Sequence, residues 1–163
     1  MIVGVISDTH GRLDPAIKAR FAGVDHVIHA GDVGEQAILE QLHALAPVTV
    51  VRGNSGDHPW GDALPDAATV VFDGVPVLVV HNRVMLETFA APQLLEMTKV
   101  HCGIVICGHT HVAEIGTEDG ILYLNPGSAS LPRYETPRSV ALLRIADGAY
   151  AAEIYTLGSD LLF

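Results

Sequence analysis

"ATVVFDGVPVLVVH", residues 68–81, sets two β-branched apolar runs back to back across Asp73-Gly74. An Asp-Gly pair between such runs signals a hairpin, because a two-residue turn of this kind needs positive φ at both positions. Upstream of the hairpin the chain alternates differently. "MIVGVIS" reads as a buried first strand followed by the polar loop "DTHGR". Asp14 and Pro15 then open a helix through about Phe21, as N-cap and first helical residue. "DHVIHA" is a second strand, closed by Gly31-Asp32. "EQAILEQLHALA" places Ile38, Leu39, Leu42 and Leu45 at helical spacing until Pro47 ends it. "VTVVRG" is a third strand, and a loop rich in Gly, Pro and Asp runs from about Asn54 to Pro65 with the chain's single tryptophan, Trp60.

Downstream of the hairpin, a helix is expected around residues 92–101, then the strand "GIVICG". "VAEIGT" and "ILYLN" flank a turn at Glu118-Asp119-Gly120, and "SVALLRI" and "AYAAEIYTL" flank Asp147-Gly148. A βαβαβ half followed by hairpins with one intervening helix predicts an α/β protein of two mixed sheets packed face to face, with helices outside. No internal repeat, low-complexity tract or linker divides the chain, so residues 1–163 are expected to form one domain.

Composition narrows the class. Hydrophobic residues make up 49% of the chain and charged residues 17%, which is the balance of a globular protein rather than a disordered one. No apolar run approaches membrane-spanning length, and the N-terminus lacks the basic region and cleavage site of a signal peptide. Cys102 and Cys107 lack CxxC spacing and read as reduced and buried, which fits a cytoplasmic protein. A formal net charge of −10 argues against a broad surface for long nucleic acid. If the protein handles a phosphate, a local reversal of charge has to overcome that repulsion.

The strand exits supply the means. Asp8 and His10 follow the first strand, Asp32 the second, Asn54 the third, His81 the hairpin strand, and His109 and His111 the strand "GIVIC". Singly these are ordinary: Asp8 can cap, Asp32 and Asn54 can form turns, and a lone histidine is usually a satisfied core residue. Seven such side chains at five strand ends are not explained by capping and turns, since strand C-terminal edges are where binding loops gather in layered α/β folds. His109 and His111 would face one target if the extended conformation persisted past Gly108, because residues two apart in a strand share a side. Oxygen and imidazole donors without cysteine favour Mn, Fe, Zn, Ni or Co over a thiolate zinc cage. Seven donors exceed one tetrahedral ion and fit two ions sharing a carboxylate, as in two-metal sites.

"SDTHG", "HAGD", "RGN", "VVH" and "CGHTH", in this order, resemble the metal-binding blocks of the calcineurin-like metallophosphoesterase superfamily. "LNPGSASLPR", residues 124–133, resembles a loop of its small bacterial and archaeal phosphodiesterase branch, the YfcE-like family. The resemblance implies a four-layer αββα sandwich, with one metal held by Asp8, His10, Asp32 and His111. The other would be held by Asp32, Asn54, His81 and His109, making Asp32 the bridging carboxylate. It further implies two divalent ions, manganese foremost, and hydrolysis of a small phosphodiester by in-line attack of a metal-bridging hydroxide. Arg12 and Asn54 are candidate substrate contacts, and Arg133 lies in the second motif. A homo-oligomer is compatible with the family, and no membrane partner is expected.

Two positions depart from the branch. "GNSGDHP" has Ser55 where the branch usually has cysteine and other superfamily members a proton-donating histidine, which leaves His58 as the candidate general acid. Asn82 stands where the branch commonly has glycine after the ligand histidine. The alternatives are a non-catalytic scaffold, as in a retromer subunit resembling this fold, or a phosphomonoesterase or nucleotidase.

Overall fold

A computed structural model describes residues 1–55, 59–84, 86 and 103–158. The first βαβαβ stretch forms as the patterns predict. Strand β1 (Ile2–Ile6) is followed by α1 (Pro15–Arg20), β2 (His26–His29), α2 (Gln36–His43) and β3 (Val48–Val50). Asp14 caps α1 by accepting a 2.8 Å hydrogen bond from the Ala16 N–H, and Pro15 sits in the first turn. β3 is shorter than "VTVVRG" suggests. Val51 still donates to the His29 carbonyl, but Arg52 turns away to bond Pro65, so the chain has left the ladder before Gly53.

The second half consists of β4 (Ala67–Phe72), β5 (Val75–Val80), β6 (Ile104–Ile106), β7 (Ala113–Glu118), β8 (Ile121–Pro126), β9 (Ser139–Ala146) and β10 (Ala149–Thr156). All three Asp-Gly pairs turn as expected: Asp73, Asp119 and Asp147 have φ between 48° and 52°, each followed by a glycine with φ near 80°. They join β4 to β5, β7 to β8 and β9 to β10 as antiparallel pairs.

Two mixed five-stranded sheets result, ordered β10-β9-β1-β2-β3 and β4-β5-β6-β8-β7. Their facing sides share one core, in which Val3, Val5 and Leu143 meet Val77, Val79, Ile104 and Ile106. Outside the first sheet, Ile17 of α1, Phe21 just after it, and Ile38 and Leu42 of α2 pack on Ile6, Val27 and Leu142. β5 is buried on both faces: Val77 and Val79 point inward, while Leu78 and Val80 join Val105, Ile121 and Leu86 in an outer cluster. That explains its unbroken apolar sequence, which marks a strand covered on both sides. The helix expected over 92–101 lies outside the described residues, as does Cys102. Cys107 is free and buried, and burial pushes its thiol up to about 12.

The topology makes β1, β2 and β3 parallel to one another in one sheet, and β5 and β6 parallel in the other. The carboxyl ends of these strands meet at one edge of the sandwich, where the His81 ring reaches the Ala30 carbonyl and Gly108 donates to the His81 carbonyl.

Candidate metal centre

The loops leaving β1 and β2 stay side by side after the sheet ends. Asp8, His10 and Gly11 donate from their backbones to the carbonyls of Gly31, Asp32 and Val33 at 2.8–3.0 Å. These rails carry Asp8, His10 and Asp32 to a common point. Asp8, His10, Asp32, His109 and His111 all have φ between 44° and 68°, a left-handed region that non-glycine residues rarely adopt. The expectation that His109 and His111 converge through a persisting strand is therefore corrected. β6 ends at Ile106, and two left-handed residues, not strand alternation, turn the imidazoles inward.

Donor atoms of Asp8, His10, Asp32 and His111 all lie within 4.8 Å of one another. His10 Nε2 is 3.2 Å from His111 Nε2 and 3.8 Å from Asp32 Oδ2. On the other side, His81 Nε2 is 3.4 Å from the same Asp32 Oδ2 and 3.0 Å from Asn54 Oδ1, which His109 Nδ1 approaches at 3.3 Å. Asp32 Oδ2 thus faces both groups. Its other oxygen is occupied, accepting from the backbone N–H of Asn54 at 2.8 Å and of Ser55 at 2.9 Å.

The tautomers decide what this cluster can do. His81 Nδ1 contacts the Ala30 carbonyl at 2.8 Å, and His111 Nδ1 contacts the Leu131 carbonyl. A carbonyl only accepts, so Nδ1 carries the hydrogen in both rings, and each neutral ring aims the lone pair of Nε2 into the cluster. His111 Nε2 lies 3.2 Å from Asp8 Oδ1, a fully buried carboxylate oxygen with no hydrogen bond of its own. Lone pairs face lone pairs, which is an arrangement for a cation. Buried carboxylate and imidazole donors with backbone-fixed tautomers fit a divalent metal.

The groups of the cluster shift one another's pKa values. Burial disfavours charge on Asp32, yet the His81 ring and Ser55 outweigh it and hold the carboxyl well below the usual range. His81, though buried, is raised by Asp32, and His111 is raised by its contact with Asp8. Burial lowers His109, helped by the neighbouring His81.

Glycines in two of the motifs are needed for close approach. A Cβ on Gly31 would lie 2.5 Å from the His81 ring, and one on Gly53 would lie 1.9 Å from Asp32 Oδ1. The stretch "LNPGSASLPR" turns out to be a strut. Asn125 Nδ2 donates to the Gly108 carbonyl at 2.9 Å, and the Ser128 and Ser130 hydroxyls both donate to the Asp8 carbonyl. With the Leu131 carbonyl on His111, this segment fixes three of the candidate ligand positions. Sequence reasoning recognised the motif but assigned none of these contacts. The run of small polar residues was the available signal.

His29 is fully buried, with burial lowering its pKa to about 4. Its Nε2 lies 2.9 Å from Thr9 Oγ1, which itself donates to the Val33 carbonyl, so the ring ties together the loops bearing Asp8 and Asp32. The described cluster does not include His58, which lies outside the described residues. Ser55 supports Asp32 rather than facing outward as an acid. Asn82 turns its carbonyl oxygen onto the Val84 N–H, and His81 keeps its contact with Ala30. Arg12 is exposed on the loop after His10, and Arg133 is exposed but close enough for its charge to lower His109 and His111.

Two mixed sheets carrying an oxygen-and-imidazole cluster at their strand ends are the arrangement expected of a metallophosphoesterase. Residues 1–148 match the calcineurin-like phosphoesterase superfamily domain, and the chain belongs to that superfamily. A probable metallophosphoesterase of Methanothermobacter thermautotrophicus is 34% identical, covering 99% of this chain and 95% of its own. A phosphodiesterase of Methanocaldococcus jannaschii is 26% identical over 78% of this chain and 83% of its own. Zinc-complexed wild-type Vps29 of Entamoeba histolytica shares the fold, with a TM-score of 0.79 and 22% identity over 98% of this chain and 94% of that one. No described helix is long and apolar enough to cross a membrane.

Proposed function

We propose that the protein is a phosphodiesterase working through two divalent metal ions that share Asp32. The observation that carries this reading is Asp32 Oδ2, which faces His10 on one side and His81 on the other while Oδ1 is tied to backbone N–H groups. Asp8, His10 and His111 would complete one ion's shell, and Asn54, His81 and His109 the other's. Manganese is the ion we expect, with Fe, Zn, Ni and Co compatible with the same donors. When bound, such ions polarise phosphoryl oxygens and make water acidic enough to supply the nucleophile.

The chain's own residues do the rest. The backbone carbonyls of Ala30 and Leu131 hold the His81 and His111 lone pairs inward. Ser55 and Asn54 N–H groups keep Asp32 ionised and oriented. Attack in line on phosphorus forms one P–O bond and breaks that to the leaving alkoxide, which takes its proton from solvent or from His58. A diester suits the site better than a monoester. It brings one negative charge rather than two, and the adjacent cleft already holds the carboxylates of Asp62 and Asp66.

Metal analysis before and after manganese loading, paired with hydrolysis of bis(p-nitrophenyl) phosphate and p-nitrophenyl phosphate, tests the proposal. Close to two metals per chain and diesterase activity lost in Asp32→Ala support it. Faster monoester hydrolysis would make the protein a phosphomonoesterase. No metal, or metal without activity on either ester, would favour an interaction scaffold, the reading to which the likeness in fold to Vps29 points.

A further inference from the structure

Beside the ligands Asp32, Asn54 and His81 lies a cleft of about 370 Å³ whose far wall is the segment from Trp60 to Asp66. Its volume is at the small end of the range of about 300–1,000 Å³ that holds organic ligands. One nucleoside-sized group fits there, not a stretch of oligonucleotide. We propose that this cleft receives the nucleoside arm of the substrate, which is thereby a nucleotide diester; the inference rests on the phosphodiesterase reading above.

The wall is built rather than loose. Trp60 packs partly against the apolar cluster under α1 and α2. The Ala63 and Leu64 N–H groups close a tight turn onto the carbonyls of Trp60 and Gly61. At the far end, Arg52 bonds the Pro65 carbonyl through its backbone at 2.7 Å and Asp66 through Nε at 2.9 Å. Both ends of the segment are therefore held, and Trp60 and Leu64 line the cleft together with Asp32, Asn54 and His81.

The chemistry of the lining selects the arm. Trp60 and Leu64 offer an apolar surface with one aromatic side chain, suited to a planar ring, since bases stack on aromatic residues. Around it, Asp62, Asp66 and Asn82 supply hydrogen-bond acceptors for the ring N–H groups of a base. The lining carries carboxylates at Asp32, Asp62 and Asp66 against one guanidinium, Arg52, already paired to Asp66. An arm with a further phosphate is repelled, and a neutral base and sugar are not. A quaternary ammonium arm would also suit carboxylates, but it is ordinarily enclosed by several aromatic faces, and among the described residues the lining has one tryptophan and neither tyrosine nor phenylalanine.

Three p-nitrophenyl phosphodiesters with the same leaving group separate these cases, their second arm being thymidine, choline or methyl. We expect the manganese-loaded protein to show kcat/KM at least about tenfold higher for the thymidine ester than for the methyl ester. Trp60→Leu, which keeps apolar bulk, should collapse that ratio, and Trp60→Phe should retain most of it. Trp60 is the chain's only tryptophan, so metal-free protein gives a second readout. Thymidine 5′-methyl phosphate, added with chelator, should quench its fluorescence saturably. Equal rates on the thymidine and methyl esters, preference for the choline ester, or a ratio unmoved by Trp60→Leu would overturn the inference while leaving a phosphodiesterase. Quenching without hydrolysis of any ester would instead remove the phosphodiesterase reading and the substrate claim with it.

Discussion

Gly53 and Asp32 show how little room single residues leave here. The Gly53 backbone passes so close to Asp32 that a methyl group would overlap Oδ1 at 1.9 Å. Gly53→Ala must therefore displace the carboxylate that both halves of the cluster share. We expect a destabilisation of about 1–3 kcal/mol, as for other overpacking changes, and metal content reduced well below that of the wild type, read by denaturant unfolding and elemental analysis. His29 offers a prediction about pH. Its folded-state pKa is about 4 against an ordinary 6.5, with burial as the main cause. Between those values the unfolded chain binds a proton that the folded chain refuses, so stability falls as pH drops through that window. At 1.36 kcal/mol per unit the loss in metal-free protein is about 3 kcal/mol. Asp32, whose pKa is depressed, adds its loss only below its ordinary value near 3.8, and the raised His81 and His111 act above 6.5. His29→Gln should therefore flatten stability against pH between 4 and 6.5 by close to one proton; an unchanged slope would show that another group titrates there.

At the scale of elements, the segment from Asn125 to Leu131 is the least obvious part of the centre and the most heavily connected. Ser128 is buried, donates to the Asp8 carbonyl at 2.8 Å and accepts from the Leu131 N–H at 2.8 Å. It couples the loop that positions Asp8 to the carbonyl that orients His111. Ser128→Ala is expected to cost about 1–3 kcal/mol from the buried groups left short of partners, and about 10–100-fold in metal affinity, the usual effect of losing a residue behind the ligands. Metal titration of the folded variant reads the second effect separately from the first. The contrast with the hairpins shows what sequence conveys. Asp73-Gly74, Asp119-Gly120 and Asp147-Gly148 are local, so two residues apiece sufficed to place each of the three turns and with them much of both sheets. The candidate ligands could be singled out because each follows an apolar run. Their approach was not, since left-handed φ at His109 and His111 is imposed by distant partners such as Asn125 and Leu131 rather than by neighbours in the chain.

For the whole molecule, the geometry of this edge predicts that a bound cation stabilises the fold. Asp8, His10, Asp32, His109 and His111 are held in a backbone region that disfavours side chains, and the donor atoms of Asp8, His10, Asp32 and His111 lie within 4.8 Å of one another. A protein of net charge −10 gains nothing from gathering buried carboxylates at one edge unless positive charge arrives there. Metal that binds the folded state alone stabilises it by mass action, about 2.7 kcal/mol at a hundredfold excess over Kd. For a chain of this size each kcal/mol is worth about 2–4 °C in Tm. Manganese loading should therefore raise Tm by about 5–10 °C over chelator-treated protein, with the increment growing as the logarithm of metal concentration. Asp32→Ala should abolish most of that increment, because it removes the oxygen both halves of the cluster share. A metal-dependent Tm that survives in Asp32→Ala would place the bound ion elsewhere on the chain, and the strained edge of the sandwich would then need another explanation.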